Sequence, residues 1–135
     1  MNPQAAGWDW LGLNMEDGSS LTVFRMRHKQ GHQLWAGGSH RSASGQLTIL
    51  KPSDVRFLTP KVWRSPRTGA TYPVAPILEL TLPTGRVRLP VTPLMPDQEL
   101  DSRKGGGPVY WEGAVRVPGG RGYLEMTGYL SPLKM

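Results

Sequence analysis

The sequence predicts an all-β domain, and three observations carry that reading. Turn residues recur at strand-length intervals, the segments between them are rich in β-branched and aromatic residues, and no sustained helical stripe interrupts them. Seventeen Gly and thirteen Pro are spread along 135 residues rather than clustered, which suits turns between many short strands. That length supports one ordinary domain, so residues 1–135 are read as a single unit.

The expected strands run from Trp8 to Met15, Ser20 to His28, Gln33 to Ser39, Gln46 to Leu50 and Val55 to Thr59. Further strands are expected from Ile77 to Leu82, Arg86 to Thr92, Val109 to Val117 and Gly122 to Leu130. Asp17-Gly18, Gln30-Gly31, Ser44-Gly45, Thr68-Gly69, Thr84-Gly85 and Gly119-Gly120 mark turns. Alternation sets Leu78, Leu80 and Leu82 against Ile77, Glu79 and Thr81, and Val87, Leu89 and Val91 against Arg86, Arg88 and Thr92. Pro76 and Pro90 cannot donate to a ladder and belong at strand ends, edges or bulges. The stretch from Pro93 to Pro108, with three consecutive glycines at 105–107, is expected to be an exposed, mobile loop. Such regular short strands build a sandwich or a barrel.

The last hairpin is the most informative segment. With Gly119 and Gly120 as a two-residue turn, Val115 faces Leu124, Gly113 faces Met126 and Trp111 faces Gly128. The opposite face then pairs Tyr110 with Tyr129, Glu112 with Thr127, Ala114 with Glu125 and Arg116 with Tyr123. One face is apolar, and the other gathers carboxylates, tyrosines and an arginine. A slip of one residue would mix the two faces.

Composition excludes several classes. The chain has no cysteine, which removes disulfides, thiol catalysis and cysteine-ligated metals. No window approaches the roughly 18 consecutive apolar residues of a membrane helix, so no transmembrane segment is expected. The opening residues lack a basic region followed by an apolar one, so no signal peptide is expected within this chain. The net charge of +6 and a pI near 10.1 raise the possibility of an anionic partner. The basic residues are scattered, however, so a solvated basic surface with no nucleic-acid partner is the expectation, and nucleic-acid binding through that surface is the alternative.

Glu112 and Glu125 are the candidate acid/base residues, because a carboxyl group in an apolar setting can donate a proton. The alternative is a structural network in which Arg116 and the tyrosines satisfy both carboxylates. Asp9, between Trp8 and Trp10, points opposite to both indoles, with its side of the sheet left open. Trp35, Trp63 and Trp111 suit core or barrel-end packing, with stacking on a hydrophobic ligand as the alternative. Asp97, Glu99 and Asp101 could offer oxygens to a hard cation, but nothing completes such a site. His28, His32 and His40 form no zinc pattern, and neither a metal nor another cofactor is expected.

Several motifs, taken in order, resemble one family. They are Gly7-Trp8-Asp9-Trp10, Met15-Glu16-Asp17-Gly18, Trp63-Arg64-Ser65-Pro66-Arg67-Thr68-Gly69 with Tyr72-Pro73, and Asp97-Gln98-Glu99-Leu100. Tyr110-Trp111-Glu112-Gly113-Ala114-Val115 and the run from Gly122 to Tyr129 complete the set. Together they resemble the AttH-like "predicted secreted hydrolases", grouped with carotenoid 1,2-hydratases in a lipocalin-like superfamily. The resemblance implies an antiparallel lipocalin-like barrel of about 8–10 short strands. It also implies that this region corresponds to the C-terminal of two such domains, with an N-terminal partner domain or a second copy packing beside it. The full-length protein would be periplasmic or secreted, while the chain's own lack of a leader leaves the cytoplasm open.

For function, the resemblance implies a small hydrophobic, lipid- or isoprenoid-like ligand, and Trp8, Trp10, Tyr110, Trp111, Arg116, Tyr123 and Tyr129 are the candidate contacts. The alternative is a hydratase or hydrolase using Glu112 or Glu125 as its acid. No His-x-Trp motif of the enzymatic relatives is present.

Overall fold

The computed structural model describes residues 3–132. Among them, nine strands of four residues or more match the nine expected segments: β1 (Ala5–Met15), β2 (Ser20–His28), β3 (Gln33–Arg41), β4 (Leu47–Leu50), β5 (Val55–Leu58), β8 (Ile77–Leu82), β9 (Gly85–Pro90), β12 (Val109–Val117) and β13 (Gly120–Thr127). Four short ones complete the set: β6 (Trp63–Arg64), β7 (Thr71–Tyr72), β10 (Thr92–Pro93) and β11 (Glu99–Asp101). Two single-turn 3-10 helices, Pro52–Asp54 and Arg103–Gly105, are the helical content.

All pairings are antiparallel. The main sheet runs β10-β12-β13-β1-β2-β3-β4, with β11 beside β12, and a second sheet runs β5-β8-β9. Strands β6 and β7 form a third, two-stranded sheet, and the ladders do not join into one closed barrel. Between the sheets lies one continuous apolar core that includes Leu11, Val23, Leu78, Leu80, Trp111 and Met126. Leu78 pairs with Leu89 and Leu80 with Val87, as the alternation predicts. Pro90 ends the edge strand β9, where its missing N–H costs no ladder bond.

The expected register of the final hairpin needs correction. The turn is Pro118-Gly119, one residue earlier, and Val117 pairs with Gly120. Proline suits the first corner, and Gly119 takes φ +73° at the second. Gly120 therefore enters the ladder, where an added Cβ would lie 2.5 Å from the Met15 sulfur. Each partner shifts by two residues, so both faces keep their composition as far as Thr127. Trp111 now faces Met126, Ala114 faces Tyr123, and Glu112 faces Glu125 directly.

Two further expectations change. Strand β13 stops at Thr127 because Gly128 turns at φ +78°, which sends Tyr129 away from the sheet surface. The stretch from Pro93 to Pro108 is partly pinned, since β11 pairs Glu99 with Trp111 and Asp101 with Val109.

Candidate functional site

Residues of like parity on β1 and β2 point inward: Leu11 and Leu13, Leu21 and Val23, all buried. Asp9, Arg25 and Arg27 share that parity and are also buried, at 1%, 7% and 4% exposure. The Arg25 Nε donates to Asp9 Oδ2 at 2.6 Å, and the Arg27 Nη1 donates to Asp9 Oδ1 at 2.9 Å. The Tyr129 hydroxyl donates to the same Oδ1 at 2.8 Å, and its ring lies 3.8 Å beneath the Arg27 guanidinium. Burial, with Asp9 alongside, pushes the Tyr129 phenol well above its ordinary range. The open question about Asp9 resolves inward, and Arg25 and Arg27 leave the solvated basic surface for the core.

A second buried carboxylate explains two of the motifs. The Glu99 side chain is fully buried and accepts hydroxyls from Ser65 at 2.5 Å, Thr68 at 2.8 Å and Tyr72 at 2.8 Å. Arg67 clasps Asp97 with two bonds of 2.6 Å. The Trp63–Gly69 motif is thus docked onto the Asp97–Leu100 motif. Burial alone would raise the Glu99 pKa, but the three hydroxyls and Arg67 bring it below the ordinary glutamate value. Asp101 is held at about 2 by Arg103. The three acids weighed as cation ligands are taken up by protein donors. Among the described residues no group of three or more His, Asp or Glu side chains could hold a metal ion.

The opposite parity builds the outer face of the main sheet, and most of the expected site residues meet there. Trp8, Trp10, Tyr110, Glu112, Arg116, Tyr123 and Glu125 all lie on it. Trp8 stacks on Phe24 at 6.5 Å, and Phe24 packs on Trp35 at 6.0 Å, so aromatic rings cross β1, β2 and β3 in one line. Trp10 is cross-strand to both Phe24 and Glu125.

Two glycines let this surface lie flat. An ideal Cβ on Gly12 would meet the Trp10 ring at 2.5 Å, and one on Gly37 would meet the Trp35 ring at 2.7 Å. Each indole therefore drapes over the glycine two residues ahead. Trp35 and Tyr123 remain 51% and 61% exposed. The Trp8 indole N–H donates to Glu125 Oε1 at 2.7 Å, which anchors that carboxylate at the border of the aromatic strip.

Trp111 and Tyr129 are not on this surface. Trp111 is fully buried and donates its indole N–H to the Pro96 carbonyl at 2.8 Å. Arg116 lies four residues from Glu112 along β12 and faces Arg121, so it does not neutralise the carboxylates. Phe24 and Trp35 were the members of the outer face that the sequence reading did not join to it. Their parity with Trp8 and Trp10 across the β1–β2–β3 ladder was the available signal. A separate groove of about 270 Å³ beside β8 and β9 is lined mostly by polar and charged residues, and its Glu79 already pairs with Arg56 and Arg88.

This open, antiparallel all-β architecture with a filled polar-and-apolar interior is that of a lipocalin-like β-domain. Residues 1–129 match the AttH-like family, and the chain belongs to it. An AttH protein of Nitrosomonas europaea is 48% identical, with a TM-score of 0.86 over 96% of this chain and 41% of that one. Kievitone hydratase from Nectria haematococca is 17% identical, with a TM-score of 0.67 over 92% of this chain and 40% of that one, a likeness of fold. The chain thus spans less than half the length of either structure. It matches none of the curated proteins. Among the described residues no helix is long and apolar enough to cross a membrane.

Proposed function

We propose that this domain binds a small hydrophobic, lipid- or isoprenoid-like molecule on the outer face of its main sheet, with the remainder of a longer polypeptide closing over that face. The observation that carries the reading is the aromatic strip of Trp8, Trp10, Phe24 and Trp35, edged by Glu125 and left open on one side. Aromatic side chains in contact on a surface are a recognition feature rather than a packing remainder. The space between the sheets offers a ligand less room, because Trp111, Tyr72, Leu11 and Met126 occupy it and are fully buried. Both structural relatives are more than twice as long as the matched region, which supplies material for a second wall.

The test is a fluorescence titration with farnesol of the native chain and of Trp10→Ala. Saturable quenching that Trp10→Ala weakens about tenfold or more supports the reading. Equal titration curves for the two proteins overturn it.

A second reading is favoured by the direct cross-strand opposition of Glu112 and Glu125. Facing one apolar ligand, one carboxyl group could donate a proton to a double bond or leaving group while the other stays an acceptor. The kievitone hydratase fold likeness is compatible with such chemistry. Separate Glu112→Gln and Glu125→Gln variants that fold normally but lose turnover would favour it. Lost stability alone would favour a structural role.

A further inference from the structure

We propose that Arg116 and Arg121 form a clamp for the anionic head, a phosphate or carboxylate, of an amphipathic ligand whose apolar body lies on the aromatic strip. The inference rests on the ligand-binding reading above and gives that ligand a polar end.

The two arginines are direct cross-strand partners on the outer face, and Arg121 also faces Asn14 of β1. Like charges placed directly opposite one another destabilise a sheet. Arg56 and Arg88 pair with Glu79, Arg67 with Asp97 and Arg103 with Asp101, whereas among the described residues the exposed Arg41, Arg64 and Arg86 stand without a carboxylate but face no arginine across a ladder. Among the described residues, Arg116 and Arg121 join no ion pair. They line a depression of about 660 Å³ together with Asn14, Met15, Glu16, Val117 and Gly120. Glu16 is the one acidic residue of that lining, so the depression carries a net positive charge. Two guanidinium forks side by side suit a phosphate or carboxylate, which they can grip bidentately.

The position is as informative as the charge. Tyr123 lies two residues from Arg121 on the same strand and face, and Glu125 lies four residues away. At a strand rise of about 3.4 Å per residue, those separations are about 7 Å and about 14 Å. Tyr123 is cross-strand to Gly12, over which Trp10 drapes. A head held by the arginines would therefore direct its chain across Tyr123 and Trp10 toward Phe24. The far end of the chain would reach the side of the sheet that holds Glu125.

The experiment compares farnesyl phosphate, farnesol and inorganic phosphate as probes for the native chain and for Arg116→Gln/Arg121→Gln. Both substitutions are at exposed positions and are expected to leave the fold intact. Farnesyl phosphate should bind about tenfold or more tightly than farnesol, and the double variant should erase that difference while still binding farnesol. Inorganic phosphate bound by the native chain and not by the variant supports the clamp even if farnesol fails to bind, a result that overturns only the aromatic-strip reading. Vesicles carrying an anionic phospholipid, bound through the same arginines when soluble farnesyl phosphate is not, would keep the clamp and assign the phosphate to a lipid surface. Equal affinity of native and variant proteins for farnesyl phosphate overturns the clamp and leaves the aromatic-strip reading standing.

Discussion

Trp8 and Glu125, 117 positions apart in sequence, are joined by a 2.7 Å hydrogen bond from indole N–H to carboxylate. The bond ties β1 to β13 on the outer face and sets the orientation of the acid that borders the aromatic strip. Trp8→Phe keeps the ring but removes the donor. The expected loss is about 1 kcal/mol by urea denaturation, below the roughly 1.5–3 kcal/mol of a hydrogen bond to a charged group because this one is only partly buried. An unchanged midpoint would mean that water replaces the indole without cost.

Asp9 lies between two buried guanidiniums and is the carboxylate that pairs with both. Asp9→Asn leaves both cations without an anionic partner, and the expected destabilisation is about 3–5 kcal/mol. Tyr129→Phe retains the ring beneath Arg27 and loses one hydroxyl, so about 1–2 kcal/mol is expected. Chemical denaturation of the two variants should therefore rank them in that order.

Glu99 links stability to pH. Its folded pKa lies below the unfolded value of 4.5 because three hydroxyls and Arg67 outweigh its burial. Depressed folded pKa values favour the folded state above the unfolded pKa, and the benefit is lost as pH falls through the folded one. Asp97 and Asp101 are shifted in the same direction by Arg67 and Arg103. Stability should hold near neutrality and decline below about pH 4.5. Glu99→Gln should be less stable at pH 7 and show a shallower decline, measured by urea melts across pH 3 to 7.

Arg116 and Arg121 repel one another across the hairpin. Arg121→Glu converts the pair to opposite charges, and a gain of roughly 0.2–1 kcal/mol is expected. Thermal melts at low and high salt check it, since the gain should shrink as ionic strength screens the pair.

Strand parity was legible from the sequence, and so was the composition of both faces of the final hairpin apart from Tyr129. The register was not, because Pro118-Gly119 and Gly119-Gly120 are both acceptable two-residue turns. What selects between them is the fit of Gly120 against Met15, a contact that exists only once β1 is in place. Arg25 and Arg27 share parity with Leu21 and Val23, so their inward direction was visible in principle. A charge-based reading places them at the surface, and only the convergence of Asp9 and Tyr129 makes their burial affordable. The outer aromatic strip was half visible through Trp8 and Trp10. Phe24 and Trp35 join it through cross-strand neighbours, which single-strand alternation does not reveal.

The most direct test of where a hydrophobic ligand binds is an NMR titration of the uniformly labelled chain with farnesol, following the five indole N–H signals. Shifts are expected at Trp8, Trp10 and Trp35 on the outer face, with the buried Trp111 unmoved. Shifts at Trp111 and the core methyl groups, with the outer indoles silent, would place the ligand between the sheets and contradict outer-face binding.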